Sequence, residues 1–329
     1  INLLKELNFK KVPRIILVAC GTAYYACYAA KYWIEKLAKI PVEIDIASEF
    51  RYREPPIEKG TAAIFVSQSG ETADTLAALR YCIGKAQNII SIVNVATSSI
   101  ARESDQILEI RAGPEIGVAS TKAFTCQLAV LLLVALKAAK DRSVVSEMNF
   151  SKTVNDLKNL PSTLSQYLGS TNSLKDIAYK LSSASDVLFL GRGLMYPLAL
   201  EGALKLKEIS YIHAEGYASG ELKHGPLALI DDSVPVILLA PCDDLFEKNM
   251  SNMQEVIARK ANVVLISDKD GLRSASSKVK NSIEIPQANK LLTPFIYALP
   301  VQLLAYFTAV SKGTDVDQPR NLAKSVTVE

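Results

Sequence analysis

The sequence predicts an α/β fold of two tandem domains, each a mostly parallel sheet flanked by helices, followed by a C-terminal tail. Two observations carry this. Short apolar runs alternate with helix-patterned stretches, which is the mark of strand, crossover and parallel strand. The pattern also occurs twice, at an offset of about 172 residues. Ile15 to Tyr25 (IILVACGTAYY) and Val187 to Pro197 (VLFLGRGLMYP) each read as a buried strand ending in a glycine turn and a helix, with Gly21 and Gly193 in equivalent places. Ala47-Ser48-Glu49-Phe50 falls against Ala218-Ser219-Gly220-Glu221-Leu222, and the strand Ala62 to Val66 against Val234 to Leu238. Ala62 to Val66 leads through Ser67-Gln68-Ser69-Gly70-Glu71-Thr72 into a helix marked by Leu76, Leu79 and Ile83. The longest apolar stretch, Leu128 to Leu136, lies between Gln127 and Lys137, far short of a bilayer span, and is expected as a buried helix. From about Lys137 to Ser185 the chain reads as helices linking the halves, with Pro161 as a break. Ligands of such sheets bind where strand carboxyl ends meet helix N-termini, which is where Gly21 and Ser67 fall.

Composition narrows the function classes. The chain has 329 residues, 49% of them hydrophobic, enough for a sizeable core and two domains. A net charge of +3, without a dense Lys/Arg run or a basic patch interleaved with aromatics, argues against nucleic acid and membrane as partners. Five scattered cysteines (Cys20, Cys27, Cys82, Cys126, Cys242) without C-x-x-C spacing suggest neither a disulfide framework nor a zinc site. No metal or cofactor is expected, and a reducing, cytoplasmic setting is. There is no signal-peptide pattern, and a start at Ile1 rather than Met leads us to expect a piece of a longer chain.

The turn after Ala62 to Val66 places backbone N–H groups at the positive end of a helix dipole, and Ser67, Ser69 and Thr72 add three hydroxyls. A phosphate is the natural guest. With no lysine in the turn and no G-x-x-x-x-G-K-[ST] spacing, a phosphate monoester on a small metabolite fits better than a nucleoside triphosphate with its Mg²⁺. The same six residues also read as an ordinary helix N-cap with Glu71 complementing the dipole. Gly191-Arg192-Gly193 is half of a dinucleotide fingerprint, but Tyr196 stands where the third glycine belongs. Those glycines are read instead as allowing a close approach to a neighbour.

The second half holds the reactive side chains. Glu201, Lys205 and Glu208, at i, i+4 and i+7, share one helix face. They read either as a surface ion-pair ladder or, because the helix follows a glycine turn at a strand end, as part of a ligand cleft. Glu221-Leu222-Lys223-His224-Gly225-Pro226 carries one of only two histidines in a polar turn. His224 is either a proton-transfer group or a solvated loop residue. His213, within Tyr211-Ile212-His213-Ala214, reads as a packed structural residue.

Several of these motifs, with two more segments, resemble the isomerase part of the glucosamine-6-phosphate synthase family. They are Cys20-Gly21-Thr22, the turn from Ser67 to Thr72, Glu115 to Lys122 (EIGVASTK), Glu208 to His213, Glu221 to Pro226, and the tail from Asp317 to Glu329 (DQPRNLAKSVTVE). The resemblance runs from about Arg14 to the end. It implies two sugar-isomerase (SIS) domains, at 1–143 and 144–312, and a tail at 313–329. It implies fructose 6-phosphate as substrate and glucosamine 6-phosphate as product, with Ser67, Gln68, Ser69 and Thr72 on the phosphate and Thr22, Val118 and Ser120 lining the sugar. By the same resemblance Lys324 is expected to form a Schiff base with C2, which acidifies the C1 proton. Glu208 is expected to move that proton, and Lys205 to contact the substrate and bias the proton affinity of Glu208. His224 opens the ring from the neighbouring subunit, so a homodimer with a shared active site is implied. The family's glutaminase half, with its N-terminal cysteine nucleophile, is missing from this sequence. One departure is Ala23, where the family usually has Ser after Cys-Gly-Thr.

A sugar-phosphate sensor on the same fold is the alternative. It needs the Ser67 turn but has no use for Glu208, His224 and Lys324 together, so the enzyme is favoured.

Overall fold

The computed structural model describes residues 4, 6–275, 279 and 281–328, so Ile1 and Glu329, which open and close the domain spans expected above, lie outside the described residues. The chain divides into two compact units, Ile1–Val154 with Ala323–Glu329, and Asn155–Leu322.

The first unit carries β1 (Ile15–Ala19), β2 (Val42–Ile46), β3 (Ala62–Ser67), β4 (Asn88–Val93) and β5 (Gln106–Glu109), in the order β2-β1-β3-β4-β5. Every pairing is parallel. Its helices are α1 (Gly21–Ala38), α2 (Ala47–Arg53), α3 (Ala73–Cys82), the single turn α4 (Ser99–Arg102) and α5 (Lys122–Asp141). Ile16, Val18, Ala63 and Phe65 pack with Phe50 of α2 and Leu79 of α3, while α1 and α5 pack together. Both faces of the central strands are therefore covered, which is why IILVA and AAIFV are continuous apolar runs instead of alternating ones.

The second unit repeats the plan. β6 (Asp186–Gly191), β7 (His213–Ala218), β8 (Pro235–Leu239), β9 (Asn262–Asp268) and β10 (Asn281–Ile285) form an all-parallel sheet in the order β10-β9-β8-β6-β7. Read from the other edge this is the first sheet's order. Gly21 and Gly193, matched by sequence, share a positive φ of 53° and 55°. α8 (Met195–Ser210) follows β6, and α9 (Phe246–Ile257) and α10 (Lys269–Ala275) follow β8 and β9. α11 (Thr293–Lys312) packs on α8 and on α7 (Asn172–Leu181).

Two expectations change here. α6 (Glu147–Leu168) runs through Pro161 instead of breaking at it. Pro161 sits on the exposed side, beyond buried Val154 and Leu160, where the carbonyl that loses its helical N–H can be hydrated. The run Leu128 to Leu136 is only the middle of α5, and both α5 and α11 are long and apolar enough to cross a membrane by length and composition. Both are mostly buried within their own units, α5 against α1 and α11 against α7 and α8, as core helices of a sheet protein are.

In each sheet the chain winds one way from the first strand and the other way from the third. The carboxyl ends of β1 and β3, registered at Ala19 and Val66, thus form the switch point where ligands of open α/β sheets bind. Cys20-Gly21-Thr22 and the Ser67 turn leave from those two ends.

Candidate active site

In the first unit the turn Ser67 to Thr72 is built by its own hydroxyls. Ser67 Oγ and Thr72 Oγ1 share a hydrogen bond at 2.9 Å, Gly70 N–H donates to Ser67 Oγ at 3.0 Å, and Glu71 N–H donates to Ser69 Oγ at 3.2 Å. Gly70 has φ +68°, and a Cβ there would stand 2.0 Å from Ser98 Oγ, so no side chain fits. Thr72, in the N-cap position of α3, makes no side-chain capping bond. Glu71 does not serve α3 either. Its Oε1 accepts from Ser99 N–H at 2.8 Å at the start of α4, and that bond holds its carboxyl below the usual range. The plain N-cap alternative therefore does not describe this turn; its hydroxyls remain grouped at the head of α3.

The tail returns to this turn. Val326 carbonyl accepts from Ala73 N–H, the first amide of α3, at 3.1 Å, and Ser325 Oγ lies 3.1 Å from Ser69 Oγ. Next to Ser325, Lys324 donates from Nζ to Glu115 Oε2 at 2.5 Å and to the Gly117 carbonyl at 2.9 Å. The other oxygen, Glu115 Oε1, accepts from Thr121 N–H at 2.9 Å and Ala123 N–H at 3.2 Å, capping α5 from a distance in sequence. Burial pushes the Glu115 carboxyl up, but the Lys324 bond and the two backbone donors outweigh it and hold the group below its ordinary range. Between these anchors, Val118 and Ser120 are half-buried, and the buried Ser120 hydroxyl has no partner among the described residues. Thr22 is half-buried in the first turn of α1, and the Gln68 carbonyl accepts from Asn94 N–H.

In the second unit Lys205 lies between two carboxylates on α8. Its Nζ is 2.5 Å from Glu208 Oε2 and 3.5 Å from Glu201 Oε1, with side-chain exposures of 1% for Lys205, 0% for Glu201 and 21% for Glu208. This is no surface ladder: α8 is enclosed by β6, β7 and α11. Burial pushes the Lys205 ammonium down, yet Glu201 and Glu208 more than reverse this and hold it above its ordinary value. The Lys205 amine is paired with both carboxylates, and Glu208 alone of the three reaches the surface. There it lines a cleft of about 390 Å³ with Tyr211, Arg320 and Asn321. Tyr211 hydroxyl accepts from Arg320 N–H at 2.9 Å, and the Arg320 guanidinium lies 4.3 Å above the Tyr211 ring.

His224 ends the 3₁₀ turn Ser219–His224, exposed, and no hydrogen bond joins it to Glu208 among the described residues. His213 is not packed: it starts edge strand β7, is 63% exposed, and pairs through Nδ1 with Asp186 at 2.8 Å. Gly191 ends β6, where a Cβ would meet Met195 carbonyl oxygen at 2.2 Å, so these glycines serve close packing as read from the sequence. The second unit's counterpart of the Ser67 turn, Ala240 to Leu245, is filled by carboxylates, one its own and one from the end of β9. Asp268 accepts from Cys242 N–H and Asp243 from Leu245 N–H, both at 2.8 Å. A phosphate would be repelled there, so of the two matched turns only the first has the character of an anion cradle. Among the described residues no group of three His, Cys, Asp or Glu side chains could hold a metal ion, and all five cysteines are free.

Sequence reasoning missed Glu115, Ser325, Tyr211 and Arg320 as site residues. All four lie inside the segments that carry the family resemblance, which gave them no separate role.

A family model described as SIS domain matches residues 8–137 and 180–312. Glutamine–fructose-6-phosphate aminotransferase [isomerizing] of Brucella abortus is 57% identical over 323 residues, which cover 98% of this chain and 53% of that protein. The protein of the same name from Bradyrhizobium diazoefficiens is 58% identical over 322 residues, with the same coverage. The chain thus spans about half the length of these curated relatives. Among solved structures, the C-terminal domain of glucosamine-fructose-6-phosphate aminotransferase from Francisella tularensis matches with a TM-score of 0.90 and 46% identity, covering 94% of this chain and 88% of that one. Glucosamine-6-phosphate deaminase from Thermotoga maritima matches with a TM-score of 0.75 and 25% identity, over 99% and 95% of the two chains. With two matched sheets, a hydroxyl turn and a tail that returns to it, the chain belongs to the SIS domain family and corresponds to the C-terminal, isomerase part of the glutamine–fructose-6-phosphate aminotransferases.

Proposed function

We propose that this chain converts fructose 6-phosphate and ammonia into glucosamine 6-phosphate, with ammonia delivered by a glutaminase domain. The observation that carries this reading is the tail: Lys324 presents a fixed amine one residue from Ser325, which touches the hydroxyl cradle. Ser67, Gln68, Ser69 and Thr72 hold the phosphate, and Thr22, Val118 and Ser120 line the sugar, the unpartnered Ser120 hydroxyl being suited to a sugar oxygen. Lys324 attacks C2 and, after loss of water, forms the iminium that draws electrons from the C1–H bond. Ammonia adds to this iminium and expels the Lys324 amine, so the nitrogen kept at C2 is ammonia's, and Glu208 takes the C1 proton and returns it at C2. Lys205, held beside that carboxylate and Glu201, contacts the substrate and biases the proton affinity of Glu208. The functional modules are 1–143, 144–312 and the tail 313–329, in a cytoplasmic enzyme without a metal.

The test is direct. The purified 329-residue chain alone is expected to interconvert fructose 6-phosphate and glucose 6-phosphate slowly, by the same proton transfer without nitrogen incorporation. No interconversion while fructose 6-phosphate binds would argue for a sensor.

The cradle has its own signature. Ser69→Ala or Thr72→Ala is expected to raise KM about tenfold with kcat within about threefold, because a contact far from the reacting carbons is made alike in ground and transition states. Steady-state kinetics with fructose 6-phosphate checks this. A loss confined to kcat would remove these hydroxyls from the cradle.

We further propose a homodimer in which His224 opens the sugar ring in the neighbouring subunit's site. Its support is an exposed imidazole without an intrachain hydrogen bond among the described residues. Glu208→Gln and His224→Ala are each expected to be nearly inactive, and mixing them with subunit exchange verified by native mass spectrometry is expected to restore part of the activity. A hybrid holds one site with both groups intact. Verified exchange without recovery would rule out a shared site.

A further inference from the structure

We infer that Glu115 is a further catalytic residue, the fixed counter-charge that keeps positive charge on the Lys324 nitrogen as ammonium becomes iminium. The inference rests on the Schiff-base reading above. Its physical basis is the division of labour between the two oxygens of one carboxylate. Oε1 is used by the Thr121 and Ala123 amides, and Oε2 faces Lys324 Nζ at 2.5 Å. The amides at the start of α5 hold Glu115 ionised and fix its orientation; its side chain is 5% exposed and that of Lys324 27%, so the pair is partly buried and less screened than a surface pair. A cap alone would need one oxygen. The second is aimed at an amine whose sequence partner lies across most of the chain.

The chemistry balances on the same charge. Overall, ammonium and ketone give iminium and water: one nitrogen proton passes to the carbonyl oxygen as the freed lone pair attacks C2, a second leaves with that oxygen as water, a C2–N double bond replaces the C2–O double bond, and one positive charge remains. Ammonium offers three protons, of which Glu115 and the Gly117 carbonyl take two in this structure. Iminium keeps one. A neutral carbonyl such as that of Gly117 then offers little, while the Glu115 carboxylate attracts the cation with or without a hydrogen bond. Glu115 therefore favours the charged iminium, the species that Glu208 deprotonates, over the neutral imine.

Borohydride reduction of the iminium, quantified by mass spectrometry of the Lys324 peptide, tests this. At saturating fructose 6-phosphate, Glu115→Gln is expected to yield about one-tenth of the wild-type adduct or less, the scale of one lost charge-assisted bond. Glucitol 6-phosphate, which has no carbonyl, is expected to bind the variant within about twofold of wild type by calorimetry. A structural role would move both. Glu115→Asp and Glu115→Asn, equal in size and different in charge, provide the second comparison, with the aspartate expected to trap about tenfold more. Equal trapping by wild type and Glu115→Gln, or by the aspartate and asparagine variants, would overturn the inference and leave the Schiff-base reading intact. Loss of glucitol 6-phosphate binding in both neutral variants would give Glu115 a structural role and also overturn it. No adduct in the wild type would overturn the Schiff-base reading and this inference with it.

Discussion

Lys205→Met is expected to lower the unfolding temperature on the order of 10 °C, the shift that follows from losing about 3–5 kcal/mol in a unit of this size. The cause is Glu201. Its side chain is fully buried, and the Lys205 ammonium at 3.5 Å is the cation that balances it. Glu208 can turn toward water because it is partly exposed; Glu201 cannot. The double variant Glu201→Leu/Lys205→Met removes both buried charges at similar volume and is expected to recover most of the loss, since hydrophobic replacement of a whole buried pair is often neutral. Calorimetric unfolding of the three proteins decides it. A stable Lys205→Met protein would mean that the buried ion pair contributes nothing to folding.

Glu208→Gln is expected to reduce kcat for fructose 6-phosphate isomerisation about 10³-fold with KM within a few-fold, the scale of one lost general base. Folding should be spared, because the amide oxygen can still accept from Lys205. Initial rates with unfolding curves separate the two effects. A kcat within about tenfold of wild type would assign the proton transfer to another group.

The fold was legible in the sequence because both its signals are local. Continuous apolar strands beside glycine turns announce buried parallel sheets, and the repeat announces two of them; the matching strand orders agree. What misled was also local. Pro161 reads as a break because its own chemistry opposes a helix, but the cost is small on a solvated face and the buried residues on either side hold the helix together. His213 sits among apolar neighbours in sequence, yet an edge strand turns its side chain to solvent.

The candidate site was half legible for the same reason. The Ser67 turn declared itself through spacing and composition, and Glu201, Lys205 and Glu208 through helical period. Whether that period marked a solvated ladder or a buried triad depended on β6, β7 and α11, which spacing does not encode. Lys324 stood out only through family resemblance. Its partner Glu115 is joined to it across 209 positions of sequence, so no window of the chain could pair them.

Borohydride added to Glu208→Gln with fructose 6-phosphate, followed by peptide mass spectrometry, tests the Lys324 mechanism most directly, because blocking proton transfer should let the iminium accumulate. One hexitol phosphate is expected on the peptide containing Lys324, and none on peptides containing Lys205 or Lys122. An adduct on another lysine, or none under conditions where fructose 6-phosphate binds, would contradict the assignment of Lys324 as the amine that attacks C2.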